Sequence, residues 1–143
     1  MGERKVWVFF YGSYMNLGVL REVDLVPERW EIGRLGGFDI QIQPRANLIR
    51  SDRASVYGIA TTASHAELAR LYAHARDVLG EVYLPEAVLV QLPSGLWRAC
   101  LCYICPEMAP RFADPAYVGR IVEAAREFGF PTWYIDRLES FLA

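Results

Sequence analysis

The sequence has little with which to bind metal or form cross-links. Its three cysteines, Cys100, Cys102 and Cys105, crowd into one apolar stretch, and its only histidines, His65 and His74, lie well upstream. An odd cysteine count argues against a closed disulfide framework, and no repeated Cys pair at zinc spacing is present. The thiols are therefore expected to be buried and reduced, packing as small hydrophobes, with Cys100 and Cys102 on one strand face and Cys105 on the other. An excess of charge is missing too. A net charge of −2 provides no basic face for nucleic acid. No apolar run approaches the roughly 18 residues of a membrane span. The run after Met1-Gly2-Glu3-Arg4-Lys5 is short, rich in β-branched and aromatic residues, and followed by no small-residue cleavage site, unlike a signal peptide. These absences point to the cytoplasm, with neither nucleic acid nor membrane as partner.

What is present suits one domain over residues 1–143: 53% hydrophobic and 22% charged residues can bury a real core. The organising stretch is Val6-Trp7-Val8-Phe9-Phe10-Tyr11-Gly12-Ser13-Tyr14-Met15. An uninterrupted apolar run ending at glycine fits a strand buried on both faces. Gly12 lets the chain turn sharply and leaves backbone N–H groups open to a carboxylate or an oxyanion; the competing reading is a plain strand-to-helix turn. Leu17–Val26 has helical spacing and stops before Pro27. Residues 30–35 and the alternating Phe38–Gln43 read as two strands separated by Gly36-Gly37, and Ser51-Asp52-Arg53 as a turn before a strand over 54–62. Ser64-His65-Ala66-Glu67 forms a capping box for a helix that buries Leu68, Leu71, Tyr72 and Ala75 and ends near Gly80. Tyr83–Leu92 and Leu96–Ile104 read as a hairpin about Pro93-Ser94-Gly95. Ala116–Phe128 is a helix closed by Gly129 and Pro131, and Trp133–Leu142 a final short one. The pattern is α+β with a largely antiparallel sheet.

Three stretches, in this order, resemble the γ-glutamylcyclotransferase (AIG2-like) family. Val8 to Met15 is similar to its strand-Tyr-Gly-Ser-Asn signature. Val56-Tyr57-Gly58-Ile59 resembles its Val-x-Gly strand, and Ala124 to Pro131 followed by Tyr134 resembles its Gly-Leu-Pro ending. The resemblance implies a partly closed mixed β-barrel flanked by helices. It also implies a cofactor-free enzyme that releases 5-oxoproline from a γ-glutamyl amine or peptide. In that reaction the substrate's α-amine attacks its own γ-carbonyl and one carboxyl group serves as base, then acid. The substrate-binding residues implied are Tyr11, Gly12, Ser13, Tyr14, Met15 and Tyr83. A small γ-glutamyl molecule is the expected partner, and a homodimer is left open.

Two departures matter. Tyr14 stands where the family has Asn. The family's catalytic glutamate falls on Ala75 in an ungapped match from Leu71, or on Arg76 in a match anchored at Tyr83, and neither is a base. Glu81 is the leading substitute, because a shift in the loop could aim it at the same pocket. Asp77, Glu86 and His74 are the other candidates, each with an exposed surface residue as the alternative. Arg45 and Asn47 could hold a substrate carboxylate, and residues 106–115 are expected to wall the leaving-group side. Two further readings stand beside the enzyme: a binding module that has lost its base, and an interaction protein using exposed Trp and Tyr residues near the C-terminus.

Overall fold

The first apolar run becomes β1 (Lys5–Phe10), and the computed structural model, which describes residues 4–142, places it between two neighbours. It pairs antiparallel with β3 (Ala46–Ser64) and parallel with β5 (Trp97–Ile104). Both of its edges are therefore paired, and the consecutive residues Val8, Phe9 and Phe10 are all buried, so both faces are covered and the strand shows no alternation. β3 also pairs with β2 (Trp30–Ile42), and β4 (Leu84–Gln91) forms the expected antiparallel hairpin with β5. The ring β1-β3-β2-β4-β5 is completed between β2 and β4 by the pair Arg34 and Gln91 alone. This thin join reconciles a ring of strands with the expectation of partial closure. The architecture is a single mixed five-stranded sheet in a ring with four helices.

Three boundaries differ from the sequence reading. Gly36-Gly37 does not separate two strands: β2 runs through it as one strand with a register shift between Gly36 and Phe38, and Gly37 takes the positive φ that a bulge requires. Ser51-Asp52-Arg53 is not a turn but the middle of the 19-residue β3. That part of β3 lies opposite the bulge and is largely solvated, so it has a turn's composition without being one. The first helix, α1 (Leu17–Glu22), ends before Val26, because Asp24 turns the chain with φ 59°.

The other helices follow their local signals. Ser64 and Glu67 exchange both capping-box bonds at the start of α2 (His65–His74), which buries Leu68 and Leu71. α3 (Pro115–Glu127) is capped by Asp114 and buries Val118, Ile121, Val122, Ala124 and Ala125. It ends in two paired bonds, Gly129 N–H to the Arg126 carbonyl and Phe130 N–H to the Ala125 carbonyl, which satisfy carbonyls that the helix end would otherwise orphan. α4 (Thr132–Glu139) follows, and Arg137 on it reaches Asp39 and the Ile40 carbonyl of β2. No helix among the described residues is long and apolar enough to cross a membrane.

Candidate functional site

β1 delivers the chain to one end of the ring, where Gly12 opens a single tight turn over Ser13–Met15. A methyl group on Gly12 would stand 2.6 Å from Ala46 Cβ, so glycine is needed here for close approach of two backbones. The N–H groups of Ser13 and Tyr14 donate no hydrogen bond within the described residues. Asn16 then starts α1, its side chain accepting from the N–H groups of Gly18 and Val19.

The turn forms one wall of a cavity of about 30 Å³, room for one or two waters. Six tyrosines line it: Tyr11, Tyr14, Tyr72, Tyr83, Tyr103 and Tyr117. Tyr11, Gly12, Ser13, Tyr14 and Tyr83 thus come together as the sequence reading expects. Met15 does not join them and is fully buried in the core. Tyr72, Tyr103 and Tyr117 were not singled out as site residues. Their sequence signal is that of core aromatics, and Tyr72 and Tyr103 do stack, with ring centroids 3.8 Å apart.

Ala46 joins two of these tyrosines. Its N–H donates to the Tyr117 hydroxyl at 2.9 Å and its carbonyl accepts from the Tyr83 hydroxyl at 2.5 Å. Tyr11 donates to the Tyr103 carbonyl and Tyr14 to the Leu71 carbonyl. Burial holds the Tyr11, Tyr14, Tyr72 and Tyr83 hydroxyls above their ordinary range. Tyr117 is raised by burial as well, although the Ala46 N–H, Ser13 and the Arg45 guanidinium pull it back down. At neutral pH these phenols are protonated and act as hydrogen-bond donors. No carboxylate or histidine lines the cavity.

The segment after α2 carries two of the acid candidates, Asp77 and Glu81. A widened turn over Ala75–Leu79 ends at Gly80, whose φ of 81° reverses the chain. Ala75 and Leu79 line the cavity, so one of the two positions aligned with the family's glutamate carries only a methyl group at the wall, while the other, Arg76, is exposed. Glu81 follows directly and is the one acidic residue buried among those described. It lies between two cavity-lining residues, Leu79 and Tyr83, but is not itself part of the lining. Its Oε2 is 3.7 Å from Cys105 Sγ, and its Oε1 is 3.8 Å from Arg111 Nη2. Burial first, and the nearby Glu81 carboxylate less strongly, hold the Cys105 thiol above its ordinary range. Asp77 is exposed and spent on its neighbour Arg76, and Glu86, half-buried on the sheet face that also carries Val88, Val90 and Cys102, pairs with Arg50. His74 closes α2 and lines the groove described next.

The cavity opens towards a groove of about 420 Å³ that shares Ser13, Tyr14, Leu79 and Tyr117 with it. α1, α3 and Arg45 wall this groove, and the loop 106–115 gives it only Asp114, against expectation. The loop's contribution is elsewhere, since its Arg111 reaches Glu81. The Asn47 side chain is bonded to backbone: its amide donates to the Cys105 carbonyl at 2.8 Å and its oxygen accepts from the Cys105 N–H at 2.9 Å. The expectation of exposed aromatics near the C-terminus holds for Trp133 and fails for Tyr134, which is buried against Tyr57 and Phe130.

No family model and no curated protein matches the sequence. Solved structures do match. A γ-glutamyl cyclotransferase superposes with TM-score 0.78 at 20% identity, covering 96% of this chain and 88% of that one. A yeast γ-glutamyl cyclotransferase specific to glutathione gives TM-score 0.66 at 15% identity over 96% and 95%. An AIG2-like protein from Mus musculus gives 0.60 at 16% identity over 76% and 82%.

Proposed function

For a chain with the γ-glutamylcyclotransferase-like fold, established by those superpositions, we propose the matching reaction: release of 5-oxoproline from a γ-glutamyl amine or peptide, with Glu81 as general base and then acid. The observation that carries this reading is the burial of Glu81 between Leu79 and Tyr83, beside a cavity whose own lining holds no base. Ser13 and Tyr14 N–H groups bind the substrate's α-carboxylate at the turn. Folding the glutamyl chain in the space between cavity and groove brings its α-amine onto its γ-carbonyl, so proximity supplies much of the rate. The Glu81 carboxylate turns from Cys105 towards the cavity and takes a proton from the α-ammonium. The free amine attacks the γ-carbonyl, the tetrahedral oxyanion faces the tyrosine hydroxyls, Glu81 returns its proton to the departing amine, and the ring nitrogen releases its remaining extra proton to solvent. Atoms balance without a cofactor: one amide bond breaks and one lactam bond forms. A cytoplasmic location belongs to this reading, since three buried free thiols suit a reducing compartment.

A second reading has its own observation. Ala75 puts a methyl group at the cavity wall and the Glu81 carboxylate points at Cys105, which suits a module that binds γ-glutamyl ligands without turning them over. Product analysis separates the two. Incubation with a panel of γ-glutamyl amines and peptides yields 5-oxoproline on the first reading. Saturable binding with no product across the panel favours the second.

A further inference from the structure

The groove beside the cavity contains a cation without a partner. Arg45 follows β2 and lies half-buried in the groove wall, its guanidinium 4.7 Å from the centre of the Tyr117 ring. Among the described residues no acid lies within ion-pairing distance of it, and its guanidinium donates no hydrogen bond. Its groove neighbour Arg120 differs, held by both carboxylate oxygens of Glu22 at 2.9 and 3.2 Å. Stacking on an aromatic ring fixes the plane of a guanidinium while leaving its edge donors free. The position is also well placed. Arg45 shares the groove with Ser13, Tyr14 and Tyr117, the same residues that border the cavity, and its charge is felt at the Tyr14 and Tyr117 hydroxyls.

We propose that Arg45 is a specificity-determining residue, one that recognises a carboxylate on the leaving amine and so selects γ-glutamyl amino acids over neutral or cationic γ-glutamyl amines. The inference rests on the cyclotransferase reading above. With the α-carboxylate held at the Ser13–Tyr14 turn, a cavity of about 30 Å³ takes no more than a small part of the substrate, and the leaving amine must extend into the groove of about 420 Å³. A planar fork of free donors there fits a carboxylate in bidentate fashion. It repels an ammonium group, so a cationic leaving amine is disfavoured by the same residue.

The test compares γ-glutamylalanine with γ-glutamylalaninamide, which match in shape and differ in the charge of the leaving group. Charged hydrogen bonds of about 1.5–3 kcal/mol correspond to a wild-type kcat/KM preference for the acid of about 10- to 150-fold. Arg45→Gln should bring that ratio close to one, and Arg45→Lys, which keeps the charge but loses the fork, should leave it between the two. The ratio is internal to each variant, and the Lys variant decides the matter if the Gln variant is inactive on both substrates. A wild type that processes both substrates equally, or variants that keep the wild-type ratio, would overturn the role of Arg45 while leaving the cyclotransferase reading intact. A wild type that releases 5-oxoproline from neither overturns both.

Discussion

Cys105 Sγ lies 3.7 Å from Glu81 Oε2, and Asn47 holds the Cys105 backbone in place. The Asn47 amide grips both the N–H and the carbonyl of Cys105, tying the start of β3 to the residue just after β5. The residue beside the buried acid is thus positioned by a polar side chain bonded to backbone. The thiol proton has two acceptors within reach, Glu81 and the Glu107 carbonyl at 3.4 Å. Redirecting the S–H bond wholly to the Glu107 carbonyl would free the carboxylate to turn.

Asn47→Ala leaves a buried N–H and a buried carbonyl of Cys105 without partners. The expected cost is about 2–6 kcal/mol, since each unsatisfied buried group costs about 1–3 kcal/mol. A urea titration of the variant should show a lower midpoint with an unchanged slope. An unchanged midpoint would mean that water replaces the amide and the clamp is dispensable.

Gly12→Ala places a methyl 2.6 Å from Ala46 Cβ, and Ala46 cannot yield freely because Tyr83 and Tyr117 hold its carbonyl and its N–H. Overpacking of this kind costs about 1–3 kcal/mol. Here it also displaces the turn carrying Ser13 and Tyr14. Ligand affinity should fall together with thermal stability, and a variant with wild-type affinity would separate the turn from the site.

Alkaline pH offers a third check. Burial, opposed by Arg98, pushes the Cys100 thiol from about 9 up to about 11, and burial raises Cys102 further. Below about pH 9 both folded and unfolded chains hold these protons, so the thiols give stability no slope. Between about 9 and about 11 the unfolded chain releases the Cys100 proton while the folded chain keeps it, so stability falls as pH rises. The buried tyrosines, also raised, add loss of the same sign at higher pH. Urea midpoints from pH 8 to 10.5 should decline, and Cys100→Ala should decline less. Parallel curves for the two proteins would contradict this assignment.

Much of this was legible from local chemistry. The capping box at Ser64 and Glu67, the glycine closing α3 and the hairpin of β4 and β5 each depend on a few neighbouring residues, and each formed as read. The long strands were misread where tertiary pairing overrides composition: Gly36-Gly37 bulges rather than breaks, and Ser51–Arg53 is carried as strand by its position in the hairpin arm. The site divides in the same way. Gly12 and the turn announce themselves, whereas Tyr72, Tyr103 and Tyr117 look like core residues because they are also packed as core. Burial separates Glu81 from Asp77 and Glu86, and sequence spacing does not reveal burial. Arg45 was visible as a carboxylate-binding candidate, but only the groove distinguishes it from the paired Arg120.

Acids already held in ion pairs provide the control for the central claim. Asp77→Asn and Glu86→Gln remove carboxylates committed to Arg76 and Arg50, and both variants should keep wild-type turnover. A loss of activity in Asp77→Asn would move the base to the turn before Gly80.

The most direct measurement is steady-state 5-oxoproline release by wild type and Glu81→Gln on the same γ-glutamyl peptide, with binding of that peptide measured by calorimetry on both proteins. The substitution preserves size and removes the proton-carrying group. The account predicts a loss of turnover of about 10²- to 10⁴-fold, the usual contribution of a positioned acid–base group, with affinity held within a few-fold. Turnover that survives Glu81→Gln at close to the wild-type rate would contradict it.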